Sequence, residues 1–545
     1  MKIAILTQMP RRHQLRLFAV LLLLLLSLPG IAETTPAASI RQCLLPERPQ
    51  QPQAHNQVSD NDLARFYRSR DYRPLWNQLG DVRGLKQALN ELTADGLNPG
   101  HYAVPDIAAE VGGPLRREIA ITRVWLQALF HLYFGALDRD SIEPLWRYRD
   151  TDFSSQRNDL LEMALAHADN PAAAFGRARV DLATYKALRA AHTQLAAEQA
   201  IAAPWPEVPT GPTLSPGSHD PRVVALRQRL RASGYLLPAT DTPGHYDQSL
   251  ETAVTDFQYR HSLAGDGLVG PLTVGALNIT RKDRLRQLRA NLERWRWLAR
   301  ELDPEMVIVD IAGAQIRYYQ DGRLWWEART IVGTDRRKTP SLRSAITHFT
   351  FNPSWTVPPT ILRHDKLPAI RHDLEYLEEQ QLSVLDQQGQ PLDPQQLDWQ
   401  QPGPIILRQA PGADNPLGVV AIRFPNPFAV YLHDTPQKYL FQRSRRAHSS
   451  GCVRVEDVLS LVKALLESAG ECDHEALSAI IDGGETRRVS LVKPVPLLMD
   501  YWTATTDASD QLLLRSDYYH RDGTLARALE QPDPVFEPFV CSVSG

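Results

Sequence analysis

The hydrophobic period of this chain changes once, near residue 306, and that change limits what the chain can fold into. Upstream, apolar residues recur at steps of three and four. Leu63, Phe66 and Tyr67 fall on one helical face, and Leu85, Leu89 and Leu92 on another, with Gly96 near a helix end. From Met306 the step is two. Val307-Ile308-Val309-Asp310-Ile311 reads as a strand, and strands over 316–320 and 324–331 flank Asp321-Gly322, a two-residue hairpin signal. More strands are expected over 346–351, 405–407, 419–424 and 429–433. A stripe spaced for a helix cannot bury one face of a strand, nor the reverse. The expected fold is a multidomain α+β chain, helical first and β-rich after.

Punctuating stretches divide the helical part. Residues 33–57, rich in Pro, Gln and Ala, read as a loose tether ahead of a helical pattern from Asp60 to about Glu198. The His and Asp residues of that pattern are expected at the surface or as satisfied core groups. Pro204, Pro206, Pro209, Pro212 and Pro216 then fall within thirteen residues, which makes an extended linker. Beyond it, 219–279 form a compact three-helix module. Asp220-Pro221 opens a helix with Val223, Leu226 and Leu230 inward, and Gly234 closes it. Asp247 caps a second helix bearing Leu250, Ala253, Val254 and Phe257, and the turn 265–271 leads to a third with Thr273, Ala276 and Leu277. Thr280 caps a longer helix over 284–300, whose Arg-rich face is expected to be solvated. The charged, Gln-rich run 363–404 interrupts the strand pattern. A long insertion in a compact domain is usually functional or disordered, and a lid over a cleft is the expected role.

The segment 431–455, YLHDTPQKYLFQRSRRAHSSGCVRV, brings His433 and Cys452 to a spacing of 19 residues. A thiol attacks as the thiolate, and its ordinary pKa of about 8.5 leaves it in need of help near neutral pH. A neighbouring imidazole can take the proton and hold the thiolate in an ion pair. Gly451 lets the backbone turn sharply and leaves N–H groups free to point at a developing oxyanion, and Ser449 and Ser450 suit a tight turn. A helical pattern through Val458, Leu461, Val462 and Leu465 follows, so Cys452 is expected near a helix N-terminus, which favours an anion. His448, beside Arg445 and Arg446, is expected at the surface.

His433, a spacer, and then Ser449-Ser450-Gly451-Cys452-Val453-Arg454 resemble the signature of the L,D-transpeptidases, the YkuD-type cysteine enzymes of peptidoglycan. Ser450 stands where that family usually has histidine, and the large Gram-negative YcbB type also carries Ser-x-Gly-Cys, the pattern of Ser449 to Cys452. The segments FYRSRDYRPLW and ADGLNPGHY resemble the scaffold region of that type. The module 219–279 resembles a peptidoglycan-binding domain in its V-x-x-L-x-x-x-L, Y-D, A-V-x-x-F-Q, D-G-x-x-G-x-x-T and A-L-N elements. Thr339-Pro340 and FNPSWTVPPTI resemble landmarks beside the family's active site. The implied organisation is a signal peptide (1–32), the tether (33–57), a helical scaffold domain (58–200), the linker (201–217), a peptidoglycan-binding domain (218–280), a connecting helix (281–302), a β-rich catalytic domain (303–525) with a capping insertion at about 363–404, and a tail (526–545).

The resemblance implies a chemistry. Cys452 attacks the third-position diaminopimelate carbonyl of a donor tetrapeptide, D-alanine leaves, and a second stem's diaminopimelate amine resolves the thioester. His433 is the implied base. Gly451, Ser450 and Arg454 are the implied oxyanion and substrate residues. No cofactor is implied and no metal, since Cys472-x-His474, His433 and Asp434 lack zinc spacing. The same site could hydrolyse the thioester, as an L,D-carboxypeptidase, or attach a lipoprotein lysine; a non-catalytic wall-binding protein would not need His433 with Cys452. The implied partners are donor and acceptor stems of peptidoglycan, with other wall-synthesis enzymes as candidates and carbapenems as inhibitors.

The totals agree with that reading. A net charge of −3 gives no electrostatic case for nucleic acid. Four cysteines make no disulfide scaffold; with Cys452 set aside, Cys43, Cys472 and Cys541 allow one intrachain bridge, whose pair stays open. Arg11, Arg12, His13 and Arg16 precede an apolar run over 17–28, and small residues end at Ala32. This is the pattern of an export signal, so the expected location is the periplasm, with a membrane contact only if the segment is retained.

Overall fold

The computed structural model describes residues 35–44, 55–76, 79–104, 113–149, 152–470 and 474–531; the signal-like segment, Cys472 and the residues after 531 lie outside that set. Among the described residues no helix is long and apolar enough to cross a membrane. The tether reading is corrected at once. Pro36–Leu44 is a helix, and its Ile40 and Leu44, one turn apart, are buried in the scaffold core. Cys43 on that helix is disulfide-bonded. Helices Asp60–Arg68, Leu79–Asn90, Phe153–Ala166 and Pro171–Ala178 surround Gly113–Phe134, which is apolar on most sides and therefore sits at the centre. Its His131 is a satisfied core group, held by the Tyr102 hydroxyl at 2.8 Å and Gln127 at 2.6 Å.

The module forms as its capping residues demand: helices Arg222–Ala232, Gln248–Arg260 and Pro271–Leu277, with Asp247 Oδ1 accepting the Leu250 N–H at 3.0 Å. The Pro-rich linker is part of it. Val208 and Leu214 enter the module's core, and Trp205 lies under the guanidiniums of Arg229 and Arg281, 4.1 and 4.9 Å from the ring centre.

The connecting helix, Arg281–Leu298, departs from expectation: its Arg-rich face is buried, not solvated. Arg294 has no exposed side-chain surface and pairs with Glu143 at 2.7 Å and Asp522 at 2.6 Å; Arg296 pairs with Glu293 at 2.5 Å. A buried guanidinium persists only when its charge is met. Here Glu143 comes from the scaffold side and Asp522 from the C-terminal helix Asp522–Glu530, so one helix ties three parts of the chain together.

The β-rich body is a sheet closed on itself. Its strands are β1 (Trp146–Arg147), β2 (Met306–Asp310), β3 (Gln315–Gln320), β4 (Arg323–Gly333), β5 (Leu342–Phe351), β9 (Val420–Arg423), β10 (Leu432–His433), β11 (Ala447–Ser449), β12 (Val453–Val455) and β13 (Arg487–Asp500); β6, β7 and β8 belong to the cap below. The order runs β5-β13-β2-β3-β4-β12-β10-β9, and β9 pairs back onto β5 from His348↔Arg423 to Phe351↔Val420. Inward residues such as Val309, Ile316, Phe349, Leu432 and Val453 fill the interior. Two additions lie off the ring. β11 joins β4, and β1, from the scaffold side, joins β5 in parallel. The Asp321-Gly322 hairpin forms with both residues at positive φ, 50° and 73°. The insertion is a folded cap, larger than 363–404: β6 (Trp355–Thr356), β7 (Leu382–Leu385) and β8 (Ile406–Gln409) form a three-stranded sheet over short helices between Pro359 and Glu379, with its own core of Trp355, Ile370, Leu377 and Leu407.

Candidate active site

Strand register decides which side chains meet. β10 and β12 run parallel, with Leu432 opposite Val453 and His433 opposite Arg454, and the Val453 N–H donates to the Tyr431 carbonyl at 3.1 Å. Leu432 and Val453 point into the barrel and are fully buried. Alternation then sends Tyr431, His433, Cys452 and Arg454 to the other face together. Cys452 and His433 are diagonal neighbours across adjacent strands. β9 adds Arg423 to the same face, its guanidinium carbon 3.9 Å from the centre of the Tyr431 ring. The cap roofs this face, since Tyr431 packs against both the barrel core and the cap core.

His433 is 5% exposed, and its Nδ1 lies 2.5 Å from the Asp434 carbonyl oxygen. A carbonyl can only accept, so the ring proton is on Nδ1 and Nε2 carries the lone pair. The backbone behind it is fixed. Asp434 Oδ2 accepts the Val419 N–H at 3.0 Å and its other oxygen pairs with Lys438. Gly418 lies so close that a Cβ there would sit 2.3 Å from the Asp434 carboxylate.

Burial pushes the His433 pKa down to about 3, and the charges of Arg454 and Arg423 push the same way. Cys452 is half-buried; burial pushes its thiol up, against the pull of hydrogen bonding from Tyr431 and the charges of Arg423 and Arg454. Its Sγ lies 3.8 Å from the Ala429 carbonyl oxygen. Burial thus opposes charge on both groups, which favours a resting thiol and neutral imidazole over the ion pair expected from sequence.

The turn before Cys452 is held from within. Gly451 has φ 118°, a backbone shape that side chains rarely adopt. Its carbonyl accepts from Thr339 Oγ1 at 2.9 Å, and its N–H donates to Ser449 Oγ at 3.2 Å, which in turn donates to the Cys452 carbonyl at 2.5 Å. The Gly451 N–H is thus engaged, whereas the Cys452 N–H makes no hydrogen bond among the described residues. Ser450 is exposed and accepts from Arg337 at 3.0 Å; Arg337 also grips Asp365 of the cap through two bonds, 2.5 and 2.6 Å. Arg454 donates to Gln437 at 2.7 Å. The expected helix N-terminus is not at the sulfur: β12 intervenes, and helix Val458–Ser468 starts only after Asp457 in the left-handed region. His448 is exposed, as expected.

Four positioning residues escaped the sequence reading in their roles here: Tyr431, Arg423, Arg337 and Thr339. Tyr431 was within reach, because a residue two before His433 in a strand must share its face. Among the described residues, no group of three His, Cys, Asp or Glu side chains is placed to hold a metal. A small cleft between scaffold and connecting helix, lined by His55, Arg139, Arg147 and Trp297 among others, contains neither Cys452 nor His433.

Comparison with known proteins adds three matched regions. Residues 304–476 match the YkuD family, described as the L,D-transpeptidase catalytic domain; 61–191 match a scaffold domain; and 219–277 match a family described as "Putative peptidoglycan binding domain". A Haemophilus influenzae protein named "Putative L,D-transpeptidase" is 36% identical over 224 residues, 40% of this chain and 45% of that protein. The N-acetylmuramoyl-L-alanine amidase CwlL of Bacillus licheniformis is 38% identical over 68 residues, 12% of this chain and 19% of that one. The matches thus span less than half the length of these relatives. Among solved structures, an L,D-transpeptidase from Xylanimonas cellulosilytica covers 54% of this chain and 100% of its own at 17% identity and a TM-score of 0.18. One from Stackebrandtia nassauensis covers 55% and 97% at 13% identity and 0.20. Residues 304–476 are a YkuD L,D-transpeptidase catalytic domain, carried on one chain with a peptidoglycan-binding domain.

Proposed function

We propose that this protein is an L,D-transpeptidase that links two peptidoglycan stems through their third-position diaminopimelates, with Cys452 as nucleophile and His433 as general base. Cys452 Sγ attacks the third-residue carbonyl carbon of a donor tetrapeptide while His433 Nε2 takes the thiol proton. The Cys452 N–H is the donor left for the oxyanion. The C–N bond to D-alanine breaks, the imidazolium returns its proton to the leaving amine, and a thioester remains. The side-chain amine of a second stem then attacks and gives its proton to His433, which passes it to the departing sulfur as the C–S bond breaks. Arg454, on the same face as Cys452 and bonded to Gln437, would orient the turn or meet a substrate carboxylate. The basic segment and apolar run over 17–28 support export to the periplasm.

The observation that carries this reading is the shared face of His433 and Cys452, with the imidazole's proton on the far nitrogen. Mass spectrometry after exposure to a carbapenem is expected to find one adduct on the Cys452 peptide. Acylation of the Cys452→Ala protein would overturn the assignment. Incubation with tetrapeptide muropeptides should then yield cross-linked dimers and free D-alanine; trimmed monomers alone would assign hydrolysis instead.

A further inference from the structure

The scaffold side of the chain reaches the rim of the nucleophile. Trp146 and Tyr148 stand two apart on β1 and its continuation, where the Tyr148 N–H donates to the Arg343 carbonyl at 3.0 Å, so they share one face. Trp146 meets Phe428 edge to face, ring centres 6.2 Å apart. Phe428 precedes Ala429, whose carbonyl oxygen lies 3.8 Å from Cys452 Sγ. Tyr148 and Phe428 are 48% and 46% exposed. Their exposure is not slack. The loop carrying Phe428 is pinned by Asn426, whose Oδ1 accepts the N–H groups of Phe428 and Val430 at 3.0 and 3.1 Å and whose Nδ2 donates to the Val430 carbonyl at 2.8 Å. Ser344 Oγ donates to the Pro425 carbonyl of the same loop at 2.7 Å.

Phe428, half-exposed on a pinned loop, and the half-exposed Tyr148 suit a ligand that has flat apolar faces and a polar edge, as a pyranose does. The spacing fits a stem's length. If a stem's third residue sits at Cys452, the two residues before it reach back roughly 7 Å when extended, before the link to the sugar. A stem that runs back from Cys452 past Ala429 would bring its first sugar over Phe428 and Trp146. We propose that Tyr148, Trp146 and Phe428 form a subsite for the glycan strand that carries a reacting stem, so that a strand from the scaffold side selects polymer-borne stems over free peptides. This rests on the transpeptidase reading of Cys452.

The test uses the full chain and two substrates, a disaccharide-tetrapeptide and the same tetrapeptide without sugar. Tyr148→Ala and Phe428→Ala should each lower kcat/KM on the disaccharide substrate roughly three- to tenfold, the effect of losing one ring contact, and by clearly more than on the bare peptide. Trp325→Ala, an exposed aromatic on the β3–β4 hairpin, should change neither. Equal changes on both substrates, or none, would overturn the subsite. Binding to Cys452→Ala protein, read by calorimetry, separates this from the chemistry. There the disaccharide-tetrapeptide should bind roughly three- to tenfold more weakly once Tyr148→Ala is added. Unchanged affinity overturns the subsite even if the wild-type protein turns over neither substrate, a result that would count against the transpeptidase reading instead.

Discussion

The protonation state of the Cys452–His433 pair makes a sharp prediction. His433 is pushed down to about 3 and Cys452 is pushed up from its ordinary value, in both cases chiefly by burial. Moving the thiol proton onto the imidazole in the resting protein therefore runs at least about five pH units uphill, on the order of 7 kcal/mol from an ordinary thiol pKa of about 8.5. The attraction between imidazolium and thiolate would have to return most of that for the ion pair to be populated at rest. Thiolate at pH 7 then arises by plain ionisation, at most about 3% of the protein, and burial lowers that further. Iodoacetamide alkylation, followed on the Cys452 peptide from pH 5 to pH 8.5, should rise by about tenfold per pH unit with no plateau. His433→Gln should keep that profile, because the imidazole does not stabilise the resting thiolate. The same variant should lose about 10²- to 10⁴-fold in acylation by donor peptide, where general-base help is needed. A plateau of reactivity between pH 4 and 8 that disappears in His433→Gln would refute the reasoning and establish a resting ion pair.

Acid should unfold the protein through its buried histidines. His131 and His433 are pushed down to about 3, His192 to about 4 and His261 well down, each first by burial, so the unfolded chain binds protons below about pH 6.5 that the folded chain refuses. Their stabilisation is complete above that pH and falls by about 1.4 kcal/mol per histidine per pH unit beneath it, outweighing Asp522, which is pushed up to about 6 and acts in the opposite sense. Calorimetric Tm should drop steadily from pH 7 to pH 5; a flat Tm would contradict the neutral burial of these rings. Glu143→Gln leaves Arg294 half compensated and should cost about 3–5 kcal/mol by denaturant titration, and a loss below about 1 kcal/mol would mean that Asp522 alone satisfies the guanidinium.

What the sequence disclosed was local chemistry. The Asp247 and Thr280 caps, the Asp321-Gly322 hairpin and the strand ending at His433 are each written in neighbouring residues, and each forms where expected. What it withheld depends on distant partners. β13 lies in the barrel between β5 and β2, yet its period is broken by a bulge between Ser490 and Val495, and its pairing partners lie over a hundred residues away. The arginines of the connecting helix look solvated until Glu143 and Asp522 arrive from either side. The ion pair looked natural beside a lone cysteine and histidine because burial, which opposes it, is a property of the cap and barrel together. Ser450 sits beside Cys452 in the chain, but its hydroxyl is taken by Arg337 from the β4–β5 loop.

Strand β1 has a consequence for what counts as a module. It is only two residues long, but it lays scaffold-side backbone along β5, and nearby Arg139 neutralises Asp500 at the end of β13 at 2.7 Å, both side chains almost wholly buried. A fragment begun at Met306 would strip that edge bare and strand a carboxylate in the interior, inviting strangers to pair where β1 had been. Loss of Arg139, far upstream of the barrel, should therefore surface as a weakened barrel around Cys452 and His433. The piece that reacts is smaller than the piece that must fold.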